Sequence, residues 1–509
     1  MSTKAFKRIL WIVLDGMGYE HARRCVDAGR FVSLSRIARE GYLDACEPST
    51  PGCQTPSALY TLFSGAEPGR SGIWGYQMPR PDRSGESMSG FHARPSGSHT
   101  IWADLGEAGH RYSVMNVAFR ADPVWSGREP GLDFGYDGYR LWRWPHVYRL
   151  GGARQWIGHQ GLDLEVTPTR EGISIRKGQR FRCALRVGAG AMMELSRGAR
   201  AWAYLVHRTL LIMSPLSCAL VRGDAEIPGA RESFLDANAF RISRGSAEMA
   251  VEDEMSPSRE AMRRKVDLMV ESIRRAPSRL FVGYFPVFDE FNHVYAHQLE
   301  TGWPYGRVSE LFSACAGLVD ECLGRVMADA TEDDAVVVSS DHGAAPYRSV
   351  LHVNELLAAE GLVRRTTGGY ELAGSRAYYH PSDCGLVLAG HRTDRKAALD
   401  AIQGALARAR TLHGADIGLL TEGMTPPHLA FLYPMGDAYF TGRPPRRGTA
   451  VLDPGDQGGH HLSSLSPTPW IRAMLGLWSP RPGVSFAGGA PRANHDVSRY
   501  LRALLDGEA

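Results

Sequence analysis

The chain has 509 residues, of which 43% are hydrophobic, 22% charged and 9% aromatic, a balance that excludes a disordered, collagen-like or disulfide-scaffold protein. The length calls for one large domain with insertions or for two to three domains. With 58 basic against 55 acidic residues the formal charge is +3, without the concentrated basic footprint of a nucleic-acid binder, and arginine outnumbers lysine 53 to 5, which reads as genome bias rather than phosphate recognition.

The first apolar run, Ile9 to Leu14, ends at Asp15-Gly16. Six residues are too few for the apolar region of a signal peptide, so the run reads as a buried central strand with an acid at its C-terminal tip. A strand at Tyr42–Cys46 leads to Thr55 and a helix that starts near Pro56, which would put Thr55 at the N-cap with amides facing an anion. A helical pattern follows at Thr100–Gly109. From about residue 120 to 255 the pattern breaks into an aromatic, arginine-rich segment (Tyr136 to Trp156), read as insert core, and strand-like pieces at Ile173–Val187 and Leu210–Arg222. The apolar stretch Thr209–Val221 is interrupted by Ser214 and Pro215 and is too short to span a membrane.

A helix over Ser258–Arg275 precedes the strand Arg279–Phe288, which runs into Asp289; a helix over Val308–Ala328 precedes Ala335–Ser340, which delivers Asp341-His342-Gly343. Gly385–Leu388, a helix over Arg395–Arg410 and Leu429–Tyr433 look like a β-α-β unit. Gly- and Pro-rich loops from Gly442 to Gly459 carry Gly458-Gly459-His460-His461, and a closing helix follows Asp496. Eight cysteines without a C-x-x-C pair read as reduced, mostly buried thiols, and the protein as soluble and cytoplasmic. Alternating strands and helices predict an α/β fold with a central, mostly parallel sheet between helices. The expected division is 1–119, 256–365 and 441–509 for the core, 120–255 for an inserted mixed or β-rich subdomain, and 366–440 for an edge unit.

Ligands of parallel sheets bind beyond the carboxyl ends of the strands, so acids at three strand ends point to one place. Asp15, the pair Asp289 and His293 at i, i+4, the adjacent Asp341 and His342, and the His460-His461 cluster offer carboxylate oxygens and imidazole nitrogens suited to zinc or manganese. Six or seven such groups suffice for two metals, which in hydrolytic sites clamp the attacking and leaving oxygens of a phosphoryl transfer. A hydroxyl at Thr55, ionised by a metal and backed by helix amides, would complete the chemistry.

The order acid–Gly, Thr at a helix start, D-x-x-x-H, D-H-G and a late G-x-H resembles the alkaline phosphatase superfamily, nearest its nucleotide pyrophosphatase/phosphodiesterase branch. The segment Thr61 to Ile73 is similar to the stretch that follows that branch's nucleophile. The resemblance implies an alkaline-phosphatase-like fold and two divalent ions, zinc first, with manganese or iron compatible. It implies Asp15, Asp341 and His342 on one ion, Asp289, His293 and His460 on the other, and Thr55 bridging them and transiently phosphorylated. The implied activity is hydrolysis of small phosphodiesters, nucleotides among them, with no nucleic-acid or membrane partner. The alternatives are a monoesterase, a phosphonate hydrolase or a phosphosugar mutase-type transferase.

Three positions depart from the family pattern. Ser57 or another residue must stand in for an asparagine that touches a phosphoryl oxygen, Ser71 replaces a histidine, and His461 follows His460, which is the preferred ligand of the two. A sulfatase is discounted because the proline after Cys53 comes one place late and the arginine is missing. His352 reads as a helix-start residue, His297 as exposed, Arg70 as one arginine among many, and Trp74 and Tyr76 equally as loop packing or as a stacking surface for a base or aryl group.

Overall fold

In a computed structural model, the described residues are 5–79, 87–93, 95, 98–119, 131–136, 146–159, 162–187, 189–196, 199–206, 209–213, 221–222, 225–226, 266–267, 269–271, 273–274, 278–380, 385–388, 392–421, 429–445, 451–454, 458–486 and 489–508. The core elements, in chain order, are β1 (Arg8–Leu14), α1 (Tyr19–Asp27), α2 (Val32–Glu40), β2 (Tyr42–Cys46), α3 (Thr55–Ser64), α4 (Ile101–Glu107), β3 (Tyr112–Met115) and β4 (Leu132–Tyr136). They continue with β5 (Leu280–Phe285), α5 (Val287–Gly302), α6 (Arg307–Asp329), β6 (Asp334–Ser339), β7 (Ala473–Trp478) and α7 (Asn494–Asp506).

The continuous apolar run of β1 is explained by helices on both faces of the sheet. Side chains alternate along a strand, so Ile9, Trp11 and Val13 enter the core under α3, α4 and α7, while Leu10, Ile12 and Leu14 enter the core under α1, α2, α5 and α6. All six are fully buried. At about 1.5–3 kcal/mol per large apolar side chain removed from water, this one strand anchors both layers. The sheet order is β2-β7-β6-β1-β5-β3-β4. β1 pairs in parallel with β5 and β6, and the parallel run continues through β3 to β4. The expected α/β architecture with a mostly parallel central sheet is therefore present, with β7 running antiparallel between β6 and β2.

The structure departs from the sequence reading in several elements. β4 lies within the expected insertion yet pairs with β3 at the edge of the central sheet. The strand expected over Arg279–Phe288 stops at Phe285, and after Pro286 the chain turns at once into α5, so Asp289 sits in a helix's first turn. Ile173–Val187 is a hairpin of Gly172–Lys177 and Arg180–Arg186 rather than one strand. The pieces expected to form β-α-β pair antiparallel, Leu386–Leu388 against Leu429–Pro434, with Ile417–Leu420 on the far edge. Within Ser258–Arg275, the positions inside the described residues are helical.

Residues 146–213 contribute two four-stranded antiparallel sheets with a separate apolar core that includes Ile157, Leu164, Val166, Ile175 and Leu205. Trp156, expected in that core, is exposed, and Trp142 and Trp144 lie outside the described residues. Cys25, Cys46, Cys53, Cys183, Cys315 and Cys322 are buried thiols. Among the described residues no helix is long and apolar enough to cross a membrane.

Candidate active site

The site is built at the carboxyl edge of β1, β5 and β6. Asp15 directly follows β1, Asp341 lies two residues beyond β6, and Asp289 lies four residues beyond β5. The turn after Asp15 brings the strands' ends together by backbone. The Asp289 N–H donates to the Asp15 carbonyl at 2.9 Å, and Gly16 adopts φ +71° with no room for a Cβ, which would lie 2.5 Å from Asp289 Cα. Asn292 Nδ2 donates to the Gly16 carbonyl at 2.8 Å and locks the same turn. On the other side, Asn494 at the start of α7 donates to the carbonyls of Ser340 (3.3 Å) and Asp341 (2.8 Å), pinning the tip of β6.

Two groups of metal-ligand type result. In the first, His342 Nε2 lies 3.3 Å from Asp15 Oδ1 and 3.3 Å from Asp341 Oδ2. In the second, His461 Nε2 lies 3.2 Å from Asp289 Oδ1, and His293 Nε2 lies 3.4 Å from Asp289 Oδ2. The imidazoles of His342 and His461 stack with centroids 3.8 Å apart and an interplanar angle of 7°, so the groups share a wall.

The hydrogen bonds of the three histidines suit a cation. Each turns Nδ1 to a backbone carbonyl: His342 to Gly343 at 2.9 Å, His461 to Cys53 at 3.1 Å and His293 to Gly459 at 3.3 Å. Nδ1 is then the protonated nitrogen, and the Nε2 lone pair faces the carboxylates, the arrangement that metal-ligating histidines adopt. His461 Nε2 and His293 Nε2 come within 3.2 Å of each other. Two lone pairs at that distance, amid three buried carboxylates, make a donor set that fits divalent cations.

The electrostatics of the protein alone point the same way. Burial, followed by the Asp341 and Asp289 carboxylates, holds Asp15 well above the usual carboxylate range, although the Tyr284 hydroxyl donates to its Oδ2. Burial pushes Asp341 up to about 8, with Asp289 adding to the shift. Asp289 is also opposed by burial, yet His293 and His461 draw it well below the usual range. His342 is held far down by burial and by His461. Asp15 and Asp341, which resist ionisation, beside His342, which resists protonation, mark the first group as short of positive charge.

Thr55 opens α3 as its first residue; Gln54, not Thr55, is the N-cap. Its hydroxyl lies 3.4 Å from His342 Nε2 and 2.6 Å from the Tyr76 hydroxyl. The first-turn amides of a helix lack intrahelical partners and favour an anion at this place. Residues 55–63 are all buried, with α3 packed on α7.

Six of the seven residues singled out in the sequence meet here; His460 does not. The short strand Gly459–His460 pairs antiparallel with Ala345–Pro346. That register turns the His461 ring to Asp289 and sends the His460 ring to the other side, about 6 Å from the rings of Tyr347 and Tyr439. His460 is buried, and neither of its ring nitrogens has a hydrogen-bond partner among the described residues. Ser57 also faces away, donating to the Gln54 carbonyl at 2.8 Å. His352 caps a helix and bonds Asp453, and Trp74 is buried in the core. Cys53, Tyr284, Asn292 and Asn494 were not assigned to the site from sequence, and Tyr76 was read only as loop packing or a stacking surface; they lie in loops, in the strand β5 and in the helices α5 and α7, where spacing carries no signal for such contacts.

This combination of an α/β sheet, clustered acids and histidines at its carboxyl edge and a helix-borne hydroxyl defines a phosphoester hydrolase of the alkaline phosphatase superfamily. The chain belongs to the Type I phosphodiesterase / nucleotide pyrophosphatase family, which it matches over residues 9–428. No curated protein sequence matches it. Among solved structures it is similar to phosphonoacetate hydrolase from Sinorhizobium meliloti 1021 bound to phosphonoformate, at 14% identity and a TM-score of 0.53, covering 100% of this chain and 99% of that one. The same enzyme bound to phosphonoacetate gives 15% identity, a TM-score of 0.52 and full coverage of both chains. Murine ectonucleotide pyrophosphatase / phosphodiesterase 5, an inactive form with AMP, gives 13% identity and a TM-score of 0.49 over 98% of this chain and 95% of that one.

Proposed function

We propose that the protein is a metal-dependent phosphodiesterase acting on small phosphodiesters, nucleotides among them, through a phosphothreonine at Thr55. The observation that carries this reading is the position of the Thr55 hydroxyl, at a helix N-terminus and 3.4 Å from His342 Nε2, beside two groups of acids and histidines that share a stacked imidazole wall. Asp15, Asp341 and His342 would hold one divalent cation, zinc in the first instance, and Asp289, His293 and His461 a second. When bound, the cations supply positive charge for the phosphoryl oxygens and lower the pKa of the attacking hydroxyl.

The chain's own groups do the rest. Thr55 Oγ1 attacks phosphorus in line; the Oγ1–P bond forms as the bond to the leaving alcohol breaks, and water then cleaves the threonine ester and restores the hydroxyl. The first-turn amides of α3 face the phosphoryl oxygens. Gly343, Cys53 and Gly459, through their carbonyls, hold the three imidazoles in the tautomer that leaves Nε2 free.

The test is a paired assay of zinc- or manganese-loaded protein on bis-p-nitrophenyl phosphate and p-nitrophenyl phosphate, with an EDTA control and Thr55→Ala alongside. Chelator-sensitive release, faster on the diester and reduced by about 10⁴-fold or more in Thr55→Ala with metal content intact, is the expected result. Unchanged turnover in Thr55→Ala would remove the nucleophile assignment, and a preference for the monoester would remove the diesterase reading.

A further inference from the structure

We infer that Tyr76 is a further catalytic residue of this site: its hydroxyl donates a hydrogen bond to a non-bridging oxygen of the phosphoryl group transferred to Thr55. The inference rests on the reading of Thr55 as nucleophile. Tyr76 Oη lies 2.6 Å from Thr55 Oγ1. Any phosphorus bonded to Oγ1 places its remaining oxygens around that atom, and the phenol stands within hydrogen-bond reach of that volume. Ser57, the one residue named from sequence for this contact, with another left open, is turned away and spends its hydroxyl on the loop carbonyls of Gln54 and Gly52. The loop of Tyr76 therefore supplies what the helix does not.

The phenol is held in place before any substrate arrives. The Tyr76 N–H donates to Gln54 Oε1 at 3.1 Å, which ties the loop to the residue that caps α3. Its carbonyl accepts from Gly90 N at 2.9 Å. Its ring meets Phe91 edge-on, with centroids 5.6 Å apart at 68°, and Phe91 packs in turn on Phe119 at 6.0 Å. Gly90 is required for this fit, because a Cβ there would lie 2.1 Å from the Gly75 carbonyl oxygen. A donor fixed in this way reorganises little during reaction, the condition under which such a contact counts most.

The chemistry of the donor carries a preference. A tyrosine hydroxyl is neutral near pH 7 and both donates and accepts. It suits the single negative charge shared by the non-bridging oxygens of a diester, whereas the extra charge of a monoester calls for a cation in the same place. The proposed hydrogen bond thus favours diesters.

The experiment compares zinc-loaded full-length wild type with Tyr76→Phe, which removes one oxygen and keeps the ring, and with Phe91→Leu, which loosens the ring's seat and keeps the hydroxyl. Tyr76→Phe is expected to lower kcat/KM on bis-p-nitrophenyl phosphate by roughly 10²–10³-fold, as loss of one preorganised donor does. It is also expected to weaken inhibition by orthovanadate, with zinc content and thermal midpoint at wild-type values. Phe91→Leu is expected to lose far less. Wild-type kcat/KM and vanadate inhibition in Tyr76→Phe would overturn the inference, as would an equal loss in Phe91→Leu, which would assign the effect to packing. Tyr76→Leu is the second hydroxyl-free variant should the phenylalanine protein fail to fold, and it must show the same loss. An active, Thr55-dependent enzyme indifferent to Tyr76 would sink this inference alone. A wild type without metal-dependent hydrolysis, unaltered by Thr55→Ala, would sink the underlying reading instead.

Discussion

The two halves of the site are built from the same residue types in opposite proportions. Asp15, Asp341 and His342 give two carboxylates and one imidazole, with side chains at most 2% exposed. Asp289, His293 and His461 give one carboxylate and two imidazoles, and the His293 side chain is 46% exposed. With acids ionised and histidines neutral, the first group carries two negative charges and the second carries one. A divalent cation would neutralise the first and leave the second with a positive charge at the mouth, where an anionic phosphoester arrives. The Thr55 hydroxyl lies against the sealed half, so one group would serve the proposed nucleophile while the other faces solvent.

The contrast can be broken most sharply at the sealed half. Asp341→Asn keeps the shape and removes a charge, and we expect activity on a diester to fall by about 10³-fold or more, with zinc stoichiometry dropping by one. Residual activity near wild type would mean that the acid-rich group is not where the nucleophile is activated. His461→Ala should come next, losing metal from the open half and most activity, while His460→Ala should keep its metals and a rate within a few-fold of wild type. Metal analysis of the two variants decides between the adjacent histidines. Asn494→Ala frees the tip of β6 and should weaken zinc affinity about 10–100-fold, as loss of an outer partner of a ligand does, read by competition with a chromogenic chelator.

Smaller effects sharpen the comparison. Timed EDTA treatment should strip zinc in two stages, the half with exposed His293 first; a single phase would make the halves equivalent. The metal-free protein should also lose thermal stability as pH rises from about 6.5 to 9. Asp341 and His293 both have raised pKa values, to about 8 and about 9; burial acts against charge on each, but Asp289 outweighs it at His293. The folded state therefore binds more protons than the unfolded chain until pH passes those values, and the stability they confer is lost across that range. Below about pH 6.5 the sign reverses, because His21 and His460, each lowered to about 3, and His342, also lowered, stay neutral when folded and take up protons when unfolded, outnumbering the raised Asp15 and Asp341. Thermal midpoints with EDTA from pH 5 to 9 should pass through a maximum, and added zinc should stabilise most at the alkaline end.

Much of this was legible because burial writes itself as apolar runs. Ile9–Leu14 and Ala335–Ser340 end in acids, and an acid at the end of a buried parallel strand has few places to be except the ligand edge. The choice between His460 and His461 was not legible in the same way. It depends on the register of a two-residue strand against Ala345–Pro346, where a slip by one exchanges the faces. β7 was not anticipated from sequence; Gly476 interrupts its apolar run, and in the fold a Cβ there would lie 2.6 Å from Val338 Cγ1, so glycine is what lets the strand pack. Tyr76 reaches Thr55 from a loop 21 residues away in sequence, where no periodicity exists to reveal it.

Gly16 gives the turn after β1 a further meaning. The backbone bond from Asp289 to Asp15, with no space for even a methyl group between them, fixes the spacing of the two halves in main-chain atoms. The turn is a ruler that no ligand side chain sets. A Gly16→Ala protein would keep every acid and histidine of the site and still be mis-gauged, so distance between the halves can be altered here independently of what each half binds.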